Sequence, residues 1–288
     1  NQYLNKGYIC GIIALITVKG DDTMEYARLQ ELISMLELGS KIHISVLFMR
    51  NIKYSKYLEL SFKNTIHSSP FCDFMKLTDT GFRKCLKCKR LAVKKALREK
   101  KPFGGECIHG AYEYCYPVVT DEKTAAVIFI GNMLSENIKE CDEKTLSTLE
   151  EKHDEEFCIK LARVVESYIK LLPGENDVKG ENALVKKAED YIKFYYRNNI
   201  TVSALAWIYG YNSKYLGRIF KKQTGKSFSE YLNEVRIKNA KKLLCTTDKT
   251  VIETALECGF DNVTYFNRIF RRLTGMSPSQ YREKYTWH

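Results

Sequence analysis

The chain has 288 residues, 44% of them hydrophobic and 28% charged, and a net charge of +11. That length suits two domains of ordinary size, and that apolar share excludes a disordered chain. Ten cysteines in a chain this long exclude a small disulfide scaffold; they point to a reducing cytoplasm, with thiols either free or metal-bound.

In chain order, the apolar run at residues 8–18 (YICGIIALITV) is too short to span a bilayer, which needs about 20 residues. It reads as a buried strand; as a signal-peptide core it lacks a small-residue cleavage pattern. Residues 24–38 carry apolar side chains at helical spacing and end at Gly39, so a helix is expected there, with Met24 as an alternative natural start. A strand is expected at 44–49. Residues 113–119 and 125–131 are β-rich, with a polar turn at 120–124 between them. Helical periodicity returns over 141–172, in a segment suited to coupling or to a dimer interface. The stretch LPGENDVKGEN then places a linker at 173–182, dividing 1–172 from 183–288. Beyond it the chain reads as helices joined by short turns.

The charge divides at the same place. Residues 183–288 hold 19 basic and 9 acidic side chains, and the rest of the chain holds 27 and 26. A basic domain beside a neutral one directs a polyanionic partner to the C-terminal part, because neutralised phosphates release counterions. A merely solvated basic surface has the same composition.

The C-terminal part also contains a repeat. Arg218, Phe220, Gly225, Ser227 and Tyr231 recur 50 residues later as Arg268, Phe270, Gly275, Ser277 and Tyr281. In the second copy Thr250 and Glu253 make a capping box, Ala255 and Gly259 a small-residue turn, and Asp261 or Asn262 a cap for the next helix. That helix buries Phe266, Ile269, Phe270 and Leu273 and turns Thr264, Asn267, Arg268 and Arg271 outward. The first copy follows the same plan: Ala206 and Gly210 at the turn, Asn212 as cap, Leu216, Ile219 and Phe220 inward, and Ser213, Lys214, Gly217, Arg218 and Lys221 outward. An Arg-bearing polar face on a second helix suits the major groove. Lys221, Lys222, Arg271 and Arg272 are better placed for phosphates. Residues 229–244 form a connecting helix with Leu232, Val235, Asn239, Ala240 and Leu243 on its apolar stripe and Arg236, Lys238, Lys241 and Lys242 outside it.

The strings LAWIYGYNSKYLGRIFKKQTGKSF, EYLNEVRIKNAKKLL and ALECGFDNVTYFNRIFRRLTGMSPSQYR resemble the DNA-binding domain of the AraC/XylS family of bacterial transcription regulators. The resemblance implies an all-α domain of two helix-turn-helix units joined by a long helix. It places base contacts at Lys214, Gly217 and Arg218 and at Val263, Thr264, Asn267 and Arg268. Gly217 has no side chain to offer, so the first unit is expected to discriminate less than the second. The partners expected are double-stranded promoter DNA, RNA polymerase, a small-molecule effector and a second copy of the chain, with no membrane; activation is the expected effect.

In the N-terminal part, Pro70, Phe71, Cys72, Cys85, Cys88, Cys107, Gly110, Glu113, Pro117 and Gly131 are similar to the sensory domain named after PocR, a variant of the PAS fold. The fold class expected overall is therefore α+β, a PAS-like antiparallel sheet with helices ahead of the all-α domain. The resemblance implies sensing of a small polar organic molecule, such as a diol. Ile108 stands between Cys107 and His109, and Cys115 is additional; both depart from that pattern. From the residues alone the cysteines have three readings. Cys72, Cys85, Cys88 and Cys107 supply four thiolates for tetrahedral zinc, with His109 as a substitute. CxxC flanked by Lys84, Lys87 and Lys89 is also a low-pKa redox pair, and buried free thiols are the bland alternative. Phe71, Phe74, Phe82, Tyr112, Tyr114 and Tyr116, with Glu113 among them, line a pocket or fill a core.

No Ser/His/Asp constellation, phosphate loop or paired carboxylate pattern is present, so no catalytic residue is expected. Two other functions stay open: a regulator whose zinc-bound cysteine accepts a methyl group from alkylated DNA, and a ligand-blind activator whose N-terminal domain only dimerises. The spacing of the cysteines, which lacks two short pairs, and the neutral N-terminal charge weigh against the first.

Overall fold

A computed structural model of the chain describes residues 18–20, 23–25, 28–49, 56–65, 67–120, 122–139, 141–172 and 180–285. The apolar run at 8–17 and the stretch 173–179 lie outside them. The chain divides into two compact units, one of residues up to Lys179 and one of Gly180–Trp207 with Tyr211–His288. Among the described residues no helix is long and apolar enough to cross a membrane.

In the first unit β1 (Val18–Gly20) pairs antiparallel with β2 (Thr23–Glu25). Met24 therefore belongs to a hairpin, opposite Lys19, and not to the helix expected at 24–38. Its backbone groups serve the ladder, which excludes a helical turn. Helix α1 is only Leu29–Leu36. The main sheet consists of β3 (His43–Phe48), β4 (Phe103–Glu106), β5 (Tyr112–Thr120) and β6 (Lys123–Met133), all antiparallel, in the order β3-β6-β5-β4. Short helices α2 (Phe62–Thr65) and α3 (Pro70–Met75) follow β3, and the long α4 (Asp79–Glu99) leads into β4.

The expected single helical stretch over 141–172 is two helices, α5 (Glu143–Leu146) and α6 (Glu155–Leu171). Between them Glu150 bridges to the sheet, accepting from the Leu134 N–H at 2.8 Å and donating to the Asn132 carbonyl at 2.8 Å. Asp154 then caps α6 by accepting from the Phe157 N–H. Alternation along the strands sorts side chains to two faces. Tyr112, Tyr114 and Val118 of β5 and Ala126, Ile128 and Ile130 of β6 join α1 and α6 in one apolar core, which also takes Ile33, Val165 and Ile169. Glu113, Cys115, Phe129 and Gly131 point to the other face, where α4 packs.

The second unit is all helical: α7 (Gly180–Tyr195), α8 (Val202–Ile208), α9 (Ser213–Thr224), α10 (Phe228–Thr246), α11 (Val251–Glu257), α12 (Val263–Thr274) and α13 (Pro278–Tyr285). Gly180–Asn182, placed in the linker by sequence, is already helical backbone. The repeated residues have repeated jobs. Phe220 meets Tyr231 edge-on at 5.4 Å and Phe270 meets Tyr281 edge-on at 5.4 Å, an arrangement in which the ring edge faces the negative ring face. Gly225 and Gly275 end α9 and α12 in the left-handed region, at φ 73° and 82°, which costs a glycine little. Asn212 and Asn262 open those helices, accepting from the N–H of Lys214 and Tyr265.

The connecting helix α10 departs from its expected faces. Phe228, Leu232, Asn233, Arg236, Ile237, Ala240 and Leu244 are its buried residues. Arg236, placed outside the stripe by sequence, is 9% exposed. Its Nε donates to the Tyr196 carbonyl at 2.7 Å and a terminal nitrogen donates to the Asn198 carbonyl at 2.9 Å. These carbonyls lie just past the end of α7, where a helix leaves acceptors unsatisfied. Leu273, expected inward on α12, is 37% exposed.

Candidate functional site

The basic face of the second unit is built by two helices of the same design. On α9, Leu216, Ile219 and Phe220 are buried, leaving Lys214, Arg218, Lys221 and Lys222 exposed and Ser213 and Gly217 half-buried. On α12, Phe266, Ile269 and Phe270 are buried, and Thr264, Asn267, Arg268, Arg271 and Arg272 are exposed. Val263 packs its side chain on the core of the second helix pair and is only half-buried. Asn267, Arg268, Arg271 and Arg272 line one open groove together with Val251, Ser277, Pro278 and Ser279. None of the last four is among the expected site residues, although Ser277 is one of the repeated residues. The signal for them was the Ser277-Pro278 start of α13, since proline is favoured in a first helical turn.

The N-terminal unit gathers a second, buried cluster. His67, Phe71, Cys72, Lys76, Cys85, Cys88, Lys89, Cys107, His109 and Glu113 are among the residues lining a single cavity. All four cysteines of the expected cluster and His109 are thus brought together, along with Phe71 and Glu113 of the expected pocket. The other pocket residues are not. Tyr112 and Tyr114 face the opposite side of β5 and belong to the apolar core under α6, because neighbours of Glu113 on a strand point the other way. Phe74 is 37% exposed. Phe82 is buried and Tyr116 donates to Glu166 at 2.7 Å.

Polar contacts organise the cavity. Lys89 Nζ stands 3.3 Å from Glu113 Oε1 and 3.0 Å from the centre of the Phe129 ring. His67 Nε2 is 3.5 Å from the same carboxylate oxygen, and Cys72 Sγ is 3.6 Å from His67 Nδ1. The buried Lys76 Nζ donates to the His67 carbonyl at 2.6 Å. A Cβ on Gly131 would stand 3.0 Å from His67 Nε2 and 3.2 Å from Glu113 Cγ; a bare backbone there lets both side chains lie over the strand. The space left at the centre is about 20 Å³, room for about one water.

The cysteine chemistry is narrower than the sequence allowed. Cys85 and Cys88 lie within α4, past its first turn. Burial pushes the Cys88 thiol up, that of Cys72 to about 11 and that of Cys107 to about 12. At Cys88, one member of the pair flanked by lysines, desolvation outweighs the nearby positive charge, against the lowered thiol that the flanking lysines suggest. Among the described residues no group of three or more His, Cys, Asp and Glu is placed to hold a metal ion.

Burial, followed by the charges of Lys89, His43 and Lys76, holds the His67 imidazole well below its ordinary value of 6.5. It stays neutral in the folded unit, whereas an unfolded chain protonates it as pH falls below that value. The unfolded state then binds more protons, so this unit loses stability on acidification, by up to about 1.4 kcal/mol per pH unit. Hydrogen exchange of the β5 amides, corrected for intrinsic rates, should show protection falling from about pH 7 to about pH 5. Much of that fall should vanish in His67→Gln. A wild-type profile as flat as the variant's would remove His67 as the titrating group.

Residues 205–284 match the family model described as a helix-turn-helix domain, and residues 49–170 match that described as the sensory domain found in PocR. Among curated proteins, the uncharacterized HTH-type transcriptional regulator YijO of Escherichia coli (strain K12) is 40% identical over 103 residues, 36% of this chain and 36% of its own. An uncharacterized HTH-type transcriptional regulator in the cgkA 5' region of Pseudoalteromonas carrageenovora is 38% identical over 109 residues, 38% of this chain and 64% of its own. The chain spans less than two thirds of these relatives' length. Among solved structures, the C-terminal domain of AraT, a response regulator from Geobacillus stearothermophilus, is 30% identical with a TM-score of 0.36, covering 36% of this chain and 88% of that one. The DNA-binding domain of AdpA in complex with a target DNA is 29% identical with a TM-score of 0.34, covering 35% and 91%.

Proposed function

Because the chain joins a PocR sensory domain to a helix-turn-helix domain of the AraC type and so belongs with the AraC-type transcriptional regulators, we propose that it is a ligand-responsive activator that binds promoter DNA in a sequence-specific way. In this reading α8–α9 and α11–α12 are two helix-turn-helix units whose second helices enter successive stretches of major groove. Arg218 and Arg268, with Lys214, Thr264 and Asn267, address base edges; Lys221, Lys222, Arg271 and Arg272 address phosphates. The observation that carries it is the recurrence of an exposed arginine at the same place on two helices that share one core plan. The four-stranded antiparallel sheet with flanking helices supports the PAS-like reading of residues 1–172, with a linker at 173–179 and the DNA-binding domain from Gly180, where its first helix begins. The lined cavity at Glu113 is the effector site in this reading. RNA polymerase and a second copy of the chain are its further partners, and the cytoplasm its location.

Selection of the whole chain against random double-stranded DNA tests the proposal. A defined operator should emerge, and its log affinity should fall linearly with log salt. Arg272→Ala or Lys222→Ala should lower that slope by about 1 while leaving base preference in place. Absence of any enriched sequence would overturn the DNA-reading role.

The room for about one water at the cavity favours a second reading, an N-terminal unit that acts without an effector. A ligand can shift the protein only if it prefers one state over the other, and here an organic molecule has first to open the site. A thermal-shift screen with small diols and acids separates the two: a shift that also changes operator affinity supports sensing, and no shift supports the ligand-blind form.

A further inference from the structure

Each base-reading arginine lies beside a tyrosine one turn earlier on its own helix. The Arg268 guanidinium is 5.2 Å from the centre of the Tyr265 ring, and the Arg218 guanidinium is 5.7 Å from that of Tyr215. Residues three apart are neighbours on a helix, and long side chains lean back toward the N-terminus, which lays the arginine over the ring. Both distances fall within the reach of a cation–π interaction.

The rings themselves are held, by different means in the two helices. Tyr265 accepts at its hydroxyl from Asn233 Nδ2 at 2.9 Å, and its ring lies 6.1 Å from Phe260. Asn233 is a buried residue of α10, so the hydrogen bond ties the face of α12 to the connecting helix. Tyr215 stacks on Tyr211 at 5.7 Å with the planes 14° apart. Tyr211 and Phe260 each follow the turn glycine of their helix pair, Gly210 and Gly259. An exposed arginine otherwise has many rotamers to lose on meeting a base, and a side chain rested on a fixed ring has lost part of them beforehand.

We propose that Tyr265 is a positioning residue for sequence readout: anchored by Asn233, its ring holds the Arg268 guanidinium in the pose that meets a base edge. Tyr215 does the same for Arg218. The inference rests on the DNA-reading role given above. It extends that role to residues that need touch no base themselves.

The test uses the whole chain and the operator obtained by selection. Arg268→Ala first identifies the base pair whose preference depends on that arginine. Tyr265→Leu should then lose about tenfold discrimination at that base pair, with preferences elsewhere in the site and the salt slope unchanged. Tyr265→Phe and Asn233→Ala both keep the ring and both break its hydrogen bond to α10, so each should retain more discrimination than Tyr265→Leu and less than the wild type. Retained discrimination in Tyr265→Leu, where Arg268→Ala abolishes it, overturns the proposal alone. An equal loss at every base pair in Tyr265→Leu also overturns it, because that pattern marks a merely structural role. If Arg268→Ala alters no base preference, the DNA-reading assignment fails and the proposal with it.

Discussion

Arg268→Ala should reduce operator binding by roughly ten- to hundredfold while leaving binding to unrelated DNA within a few-fold of wild type. The magnitude follows from a bidentate arginine–guanine contact, worth about 1–3 kcal/mol of discrimination. The selectivity of the loss follows from the neighbours. Arg271 and Arg272 remain exposed on the last turn of α12, and nonspecific affinity is carried by such phosphate contacts. The corresponding change on α9, Arg218→Ala, should cost less, because Gly217 offers nothing beside it where α12 presents Asn267 and Thr264. Electrophoretic titration of both variants against the selected operator and a scrambled duplex measures the pair of effects. Equal losses on the two duplexes for Arg268→Ala would reassign that arginine to the backbone.

Arg236→Met should destabilise the second unit by about 1–3 kcal/mol, although the substitution removes a charge and adds an apolar side chain. The reason lies at the carbonyls beyond α7. With the guanidinium gone, the oxygen of Tyr196 loses that donor in surroundings that admit little water, at about 1–3 kcal/mol, while the oxygen of Asn198 keeps the Ile200 N–H at 2.8 Å. The guanidinium also sits 5.4 Å from the centre of the Phe260 ring, a contact that methionine replaces in part. Protection of the α7 amides against hydrogen exchange, read across a urea series, reports the loss where it arises. A change of under about 0.5 kcal/mol would place Arg236 among surface residues, whose replacement has that size of effect.

Much of the second unit was readable from the sequence because its signals are local. Capping boxes, asparagine caps and glycine terminators act within four residues of the helix end they define, and Thr250, Asn262 and Gly275 each hold the place expected of them. Arg236 was misplaced for the opposite reason. Its acceptors lie 38 and 40 residues earlier in the chain, and no periodicity within α10 announces them. In the N-terminal unit Cys72, Cys85, Cys88 and Cys107 line one cavity, yet the helix that carries two of them gives little signal in the sequence. Helix α4 buries only Gly81, Phe82, Val93 and Ala96, so small residues do much of the packing and its apolar stripe is faint. The tyrosines of β5 could be recognised as inward-facing, but the strand alone does not say which of two covered faces is the cavity. His67 and Lys76, which line the cavity with Glu113, carry no motif as a lone histidine and a lone lysine, and Lys89 stands out in the sequence only as a flank of the CxxC, not as the partner of Glu113.

Strand β5 is shared property. Read in alternate letters, one set of its residues spells the apolar packing against α6 and the other carries Glu113 to the polar cavity. Inserting or deleting a single residue upstream of Glu113 would exchange the two sets, sending a carboxylate into hydrocarbon and a phenol ring into the space beside His67. Point substitutions here can be graded and local, whereas length changes are all-or-none. Descendants of this domain are therefore free to vary what the cavity holds far more readily than they can vary how many residues build it.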